Sequence, residues 1–99
     1  MSLDEAQYEL HERLRAWRKR CAESENLDSS LVINRHVLMR LAVARPRSLA
    51  DLEAVEGFLS WQSKRFGKEL LQLTEQFEGD VSNGRMVTTK GKRGRRNGR

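Results

Sequence analysis

Apolar residues recur at steps of three and four in two long segments of the chain. This spacing places side chains along one face of an α-helix, whereas a half-buried strand alternates apolar and polar residues, a pattern that no segment shows. The two stripes are Leu10, Leu14, Trp17 and Cys21, and Phe66, Leu70, Leu73 and Phe77. The sequence therefore predicts an all-α fold, a small orthogonal bundle of four to five helices over about residues 4–78.

Residues that favour helix ends divide the middle of the chain. Asn26 suits the left-handed C-terminus of the first helix, and Asn34 suits the N-cap of another, which ends before Pro46. The inward residues of that second helix are Val37, Leu38, Leu41 and Ala42. Between the two helices, the segment "NLDSSLVIN" is predicted to be a connector with one helical turn that places Leu31 and Ile33 in the core.

A short helix is predicted after the proline. Ser48 and Asp51 form the S-x-x-D pattern of a helix start, and Gly57 breaks the helix that follows. Its buried side is predicted to consist of Leu49, Leu52 and Val55.

The last helix is predicted to run from Ser60 to Glu78, with Gly79 as its stop. Gly67 lies in its interior, where glycine costs about 1 kcal/mol relative to alanine. Close approach of another backbone is the expected compensation.

Charge divides the chain into two unequal parts. Residues 1–79 hold 12 Lys and Arg against 13 Asp and Glu, whereas residues 80–99 hold 7 Lys and Arg against 1 Asp. The last segment has few apolar residues to offset the entropy cost of ordering. The sequence therefore predicts one helical domain over residues 1–79 and a disordered basic tail over residues 80–99.

Catalytic and metal chemistry find no support in the sequence. Cys21 is the single cysteine and lies on an apolar stripe, which favours a buried thiol, and His11 and His36 have no second ligand at helical spacing. There is no Gly-rich phosphate loop and no paired acid and base. We expect a non-catalytic chain without cofactor or metal. It shows no membrane span or secretory signal, which predicts an intracellular protein, located in the cytoplasm or nucleoid, or in the nucleus of a eukaryote.

Three segments in order resemble the HRDC (helicase and RNase D C-terminal) domain. They are "LHERLRAWRKRCAESENL", "SSLVINRHVLMRLAVARPRSLADLEAVEGF" and "KRFGKELLQL", which together span about residues 8–73. The resemblance implies a five-helix auxiliary module of RecQ-type helicases or RNase D-type exonucleases. Such a module binds nucleic acid weakly or contacts its parent enzyme, and it catalyses nothing itself.

The chain departs from the pattern of this family at three places. Ser29, Ser30 and Leu31 stand where family members often carry prolines and an aromatic. The family's glycine-rich turn corresponds to residues 57–60, where Leu59 replaces a second glycine whose backbone would approach phosphate closely. Ser63 replaces a leucine, and we expect Leu59 to fill part of the vacated space. The chain therefore differs from the family at positions that belong to the family's common binding surface.

The last helix carries the leading candidate site. Trp61, Lys64, Arg65 and Lys68 share one face, which is predicted to lie opposite Phe66. An outward indole among cations suits single-stranded nucleic acid, because the ring stacks on a base while the cations follow phosphates. The alternative is that Trp61 folds back over the helix start and packs in the core.

Three other basic segments are candidates for phosphate contact. Arg15, Arg18 and Lys19 lie on the first helix, where a solvated helix face is the alternative interpretation. Arg45 and Arg47 beside Pro46 are weaker candidates. The tail cations attract nucleic acid through counterion release, or else serve solubility or nuclear localisation; they include Lys90, Lys92, Arg93, Arg95 and Arg96.

The sequence thus predicts an accessory domain that binds single-stranded or structured DNA or RNA without sequence preference. Its expected partners are this nucleic acid and the domains of a parent helicase or nuclease, and the isolated domain is expected to be a monomer. The alternative is a docking module that packs against its parent enzyme or another protein, so that only the tail contacts nucleic acid.

Overall fold

A computed structural model of the chain describes residues 3–84, which contain five helices and no strand. The predicted all-α fold is confirmed. The helices are α1 (Glu5–Glu25), α2 (Ser29–Val32), α3 (Arg35–Ala44), α4 (Leu49–Glu53) and α5 (Ser60–Ser82). The core lies where α1 packs against α2, α3 and α5, and α4 closes it by packing on α5.

Helix α1 begins and ends at capping residues. Asp4 accepts a hydrogen bond from the Gln7 backbone N–H at 2.7 Å, and the Gln7 side chain accepts one from the Asp4 backbone N–H at 3.1 Å. At the other end, Asn26 adopts the left-handed conformation with φ 58°, as predicted from its tolerance of that region. Leu10, Leu14 and Trp17 of the predicted stripe are buried, whereas Cys21, which was predicted to be a buried thiol, is only partly buried.

The connector forms a single helical turn, α2, but its buried residues differ from the prediction. Ile33 is fully buried as expected, whereas Leu31 is 58% exposed and Val32 occupies the core instead. Successive residues of a helix are rotated by about 100° around its axis. A turn that directs Val32 inward therefore directs Leu31 towards solvent.

Helix α3 follows the prediction at both ends. The Asn34 side chain accepts hydrogen bonds from the backbone N–H groups of His36 and Val37, both at 3.0 Å. Arg45 leaves the right-handed helical region with φ 49° directly before Pro46. The four predicted inward residues are all buried: Val37, Leu38, Leu41 and Ala42.

Helix α4 starts as predicted but exposes one of its three predicted core residues. The Asp51 backbone N–H donates to the Ser48 hydroxyl at 3.1 Å, and Leu52 is buried, whereas Leu49 is 48% exposed. A Cβ atom added at Gly67 would lie 3.2 Å from Leu49 Cδ1 and 3.8 Å from Leu52 Cδ1. Gly67 therefore makes room for leucine side chains of α4, and not for the backbone approach that was predicted.

Helix α5 begins at Ser60 as predicted, but it continues through Gly79 to Ser82. The predicted end at Glu78 is therefore wrong, and residues 80–82, which were predicted to begin the tail, are helical. Two contacts hold this last turn: Asp80 pairs with Arg13 of α1 at 2.9 Å, and Val81 packs against the core. Asn83 and Gly84 form a turn after the helix, and residues 85–99 of the predicted tail lie outside the described residues.

Candidate nucleic-acid interface

The four predicted residues on α5 are all exposed at the surface. The Trp61 side chain is 45% exposed, and Lys64 and Lys68 follow it at one-turn intervals, both exposed. Within residues 3–84, no carboxylate lies within ion-pair distance of either lysine. We call the group of Trp61, Lys64, Arg65 and Lys68 the α5 face.

The Trp61 ring is held at one edge, an arrangement between the two predicted alternatives. It meets the Phe66 ring edge-on at a centroid distance of 6.0 Å, so Trp61 does not lie opposite Phe66 as predicted. Phe66 in turn meets Trp17 at 5.4 Å, and the Trp17 indole N–H donates to Glu69 Oε1 at 3.0 Å. A row of three aromatic rings thus leads from the core to the surface, and only the last is exposed.

Arg65, the fourth residue of the α5 face, already has a partner. Its guanidinium forms an ion pair with Glu25, the last residue of α1, and lies 5.9 Å from the centroid of the Phe66 ring. Arg65 therefore differs from the two lysines beside it, because binding an anion requires it to share or exchange Glu25.

The turn before α5 is shaped by packing. Gly57 has φ 89°, and a Cβ atom there would lie 2.8 Å from Val37 Cγ2, so the turn requires glycine at this position. The Gln62 side chain accepts from the Leu59 backbone N–H at 2.8 Å and donates to the Val32 carbonyl at 2.9 Å, which joins α5 to α2. Gln62 was not predicted from the sequence, although its position three residues after the N-cap is a usable signal.

Ser63, the third departure from the family, has its own partner. It is buried and donates to Glu53 Oε2 at 3.0 Å. Leu59 is 52% exposed, so the expectation that it fills the space beside Ser63 is wrong. At this position a hydrogen bond to Glu53 of α4 replaces the apolar packing expected of the family's leucine.

The basic residues of α1 divide into structural and open ones. Arg18 donates to the Ile33 carbonyl at 2.9 Å and thereby ties α1 to the end of α2. Arg15 is 56% exposed and lies 3.3 Å from Glu12, and Lys19 is exposed. These three side chains line a shallow groove with Leu27. The structure thus leaves Arg15 and Lys19 open to solvent and gives Arg18 a structural contact.

A second group of cations and an aromatic lies at the other end of α5, and the sequence analysis missed it. The guanidinium groups of Arg13 and Arg45 lie 5.6 and 5.3 Å from the centroid of the Phe77 ring, which is fully buried. Arg45 makes two hydrogen bonds with Glu78, at 2.9 and 2.7 Å, and Arg13 pairs with Asp80. We call these residues the C-terminal clasp: Arg13, Arg45, Phe77, Glu78 and Asp80.

The two weaker candidates for phosphate contact, Arg45 and Arg47, both lie beside a carboxylate. Arg45 contacts Glu78 and the Phe77 ring, and Arg47 lies 3.5 Å from the same Glu78 carboxylate. The arginine partners hold the pKa of Glu78 below its usual value, chiefly through the hydrogen bonds from Arg45. Beside the clasp, Glu9 is almost fully buried and accepts a hydrogen bond from Arg13 at 2.6 Å. The arginines of the clasp are already paired with carboxylates.

The other predictions from sequence concern metal binding, membrane crossing, His11, Cys21 and the tail. Residues 3–84 contain no group of three His, Cys, Asp or Glu side chains able to hold a metal ion, and no helix among them is long and apolar enough to cross a bilayer. Burial lowers the pKa of His11 and raises the pKa of the Cys21 thiol. The predicted tail contacts at Lys90, Lys92, Arg93, Arg95 and Arg96 lie outside the described residues.

Comparison with known proteins agrees with this architecture. The HRDC domain model matches residues 7–74. An ATP-dependent DNA helicase RecQ of Pasteurella multocida (strain Pm70) is 33% identical over 73 residues, which cover 72% of this chain and 12% of that protein. No solved structure matches the chain significantly. The chain therefore belongs to the HRDC domain family, whose members are accessory domains in RecQ helicases.

Proposed function

We propose that this domain binds single-stranded or structured nucleic acid weakly and without sequence preference, as an accessory part of a RecQ-type helicase. The observation that carries the proposal is the half-exposed Trp61 beside two unpaired lysines of α5, Lys64 and Lys68. The related RecQ helicase supports the choice of parent.

The geometry of the α5 face suits a strand whose bases are accessible. Trp61 contacts the Phe66 ring at a centroid distance of 6.0 Å, and this contact limits the freedom of the indole before any ligand arrives. Less rotamer entropy is then lost on binding. A base stacks on the exposed part of the indole, a contact worth about 1–3 kcal/mol, while Lys64 and Lys68 contact neighbouring phosphates. Backbone contacts of this kind carry no sequence information.

Other cations add attraction of longer range. Arg15 and Lys19 lie on α1, and the tail adds a dense group of positive charge at residues 90–99. Each phosphate that they neutralise releases condensed counterions, so their contribution falls as salt rises. The tail thus raises the encounter rate, and the α5 face contributes the stacking contact.

The test is fluorescence anisotropy of a labelled single strand across a salt series, with the chain of 99 residues. A tail-neutralised chain, in which Lys90, Lys92, Arg93, Arg95 and Arg96 are replaced by Gln, isolates the contribution of the domain. In that background, we expect Trp61→Ala to weaken binding about tenfold, which corresponds to about 1.4 kcal/mol. Trp61→Phe is expected to retain most of the affinity because it keeps an aromatic face.

The matched control is Val43→Ala, which removes another partly exposed apolar side chain, on α3. It is expected to leave binding unchanged. If the tail-neutralised chain binds no nucleic acid even at low salt, the domain is not a reader and the tail alone provides the contact.

A docking role is the second candidate, and one observation favours it. Leu31 and Leu59 are 58% and 52% exposed, and the hydrogen bond from Gln62 to Val32 brings their two elements together. If the two leucines form one apolar patch, it is a surface that another protein would cover. This candidate predicts that Leu31→Ser and Leu59→Ser weaken association with the helicase core while leaving the affinity for a single strand unchanged.

A further inference from the structure

The ion pair between Glu25 and Arg65 joins two helices at the edge of the α5 face. Glu25 is the last residue of α1, and Arg65 lies one turn after Trp61 on α5. Their side chains are 32% and 52% exposed, so solvent and ligands reach both. The pair is the point where a negative charge of this domain comes closest to the row of cations proposed to bind phosphate.

The position of Glu25 is not explained by the needs of its own helix. The carboxyl end of a helix carries a partial negative charge and is stabilised by basic residues. The last turn of α1 has no basic residue and contains both Glu23 and Glu25. A carboxylate at this position is therefore unfavourable for α1, and its described ion-pair partner is Arg65 on another helix.

We propose that Glu25 limits the affinity of the α5 face for nucleic acid by occupying Arg65. The inference rests on the proposed function and names a residue that regulates the same site. Lys64 and Lys68 meet phosphate directly, whereas Arg65 must first give up a carboxylate that also repels the incoming phosphate. Glu25 is thus a negative determinant, which keeps the binding weak.

The expected size of the effect follows from the exposure of the pair. Exposed ion pairs are weak, and an energy in their usual range corresponds to a change in affinity of about two- to fivefold. A freed Arg65 also adds one phosphate contact. For a single strand, one more contact steepens the dependence of log affinity on log salt by about 0.7.

The experiment compares variants of the tail-neutralised chain by anisotropy with a labelled oligothymidylate. Glu25→Gln is expected to tighten binding about two- to fivefold and to steepen the salt dependence. Glu23→Gln is the matched control, because it removes the same charge from the same helical turn without touching Arg65. It is expected to change the affinity by less than Glu25→Gln and to leave the number of phosphate contacts unchanged.

A double-mutant cycle with Arg65→Gln identifies the route of the effect. Arg65→Gln alone is expected to change the affinity little, since Glu25 already occupies this side chain. In the Glu25→Gln background, the same change is expected to abolish the gain. Equal gains for Glu25→Gln with and without Arg65 would overturn the proposal and indicate a general charge effect. Weaker binding by Glu25→Gln would also overturn it, because Glu25 would then orient Arg65 for phosphate.

The two proposals fail in different ways. If Trp61→Ala weakens binding by the tail-neutralised chain while Glu25→Gln leaves it unchanged, the nucleic-acid function stands and the role of Glu25 is wrong. If neither the tail-neutralised chain nor its Glu25→Gln variant binds, both proposals are wrong. Circular dichroism of each variant verifies that the helical fold is retained.

Discussion

The two ends of α5 carry the same kinds of residue in opposite environments. At the C-terminal clasp, two arginines flank Phe77, which is fully buried, and their guanidinium groups pair with Glu78 and Asp80. At the α5 face, Trp61 is half-exposed and the two lysines beside it have no described carboxylate partner. Only Arg65 has one.

This contrast shows that an aromatic residue among cations does not by itself define a binding surface. The clasp satisfies its positive charges internally and buries its ring, so it contributes stability. The α5 face leaves charge and ring open, so the contribution of its residues depends on a ligand. The location of the carboxylates decides between the two outcomes, and Arg65 with Glu25 is the intermediate case.

The largest expected difference between the two ends is in stability. Replacing Phe77 by Ala removes a fully buried ring and leaves a cavity, so we expect the free energy of unfolding to fall by about 3–5 kcal/mol. Trp61 is 45% exposed, so Trp61→Ala removes less buried surface and is expected to cost about 1–2 kcal/mol. Urea unfolding followed by circular dichroism measures both. Equal losses would mean that Trp61 is part of the core in solution.

A smaller effect tests the charges of the clasp through pH. The pKa of Glu78 is lower in the folded protein than its usual value of about 4.3, chiefly because Arg45 donates hydrogen bonds to its carboxylate. Its contribution to stability is therefore complete above the unfolded pKa and is lost as pH falls through the folded pKa. We expect Glu78→Gln to cost about 1 kcal/mol at pH 7, since the pair is partly exposed.

At pH 3 the penalty of Glu78→Gln is expected to be smaller than at pH 7. Urea unfolding of both proteins at pH 7, 5 and 3 measures the convergence. The other carboxylates are common to both proteins and largely cancel in the difference. A penalty that stays constant across this range would show that the ionised carboxylate does not stabilise the clasp.

The features predicted from sequence depend on near neighbours in the chain. Asn26, Asn34 and Ser48 end or start helices through contacts within four residues, so their roles are readable locally. The end of α5 could not be predicted in this way, because Gly79 is a local stop signal and the helix continues past it. This signal is overridden by the pairing of Asp80 with Arg13, which lies 67 residues away in the chain.

The candidate site was predictable in part for the same reason. Helical spacing placed Trp61, Lys64 and Lys68 on one exposed face, which depends only on α5. Whether a given cation is paired depends on other helices: Arg45 meets Glu78 from 33 residues away, and Arg65 meets Glu25 from 40. Sequence spacing contains no information on such contacts, because it depends only on positions within one helix.

The smallest expected effect tests whether Arg65 is held by Glu25 in solution or is free like the lysines beside it. Cys21, the single cysteine, lies in the same groove as both side chains and is a reporter there. Burial raises the pKa of its thiol, the carboxylates of Glu69 and Glu25 raise it further, and the Arg65 guanidinium lowers it. The effect of each charge on the pKa of Cys21 falls off with distance. The measured pKa of Cys21 in charge variants therefore tests whether Glu25 and Arg65 lie close to it.

Glu25→Gln is therefore expected to lower the pKa of Cys21, and Arg65→Gln is expected to raise it. Because the thiolate is the reactive form, the pH dependence of the rate of thiol modification measures the pKa directly. Glu23→Gln, on the far side of the same helical turn, is the control and is expected to leave this pKa unchanged. If Glu25→Gln acts no differently from Glu23→Gln, Glu25 does not lie beside Arg65 in solution. Arg65 would then join Lys64 and Lys68 as a third open cation, and the contrast between the two ends of α5 would be complete.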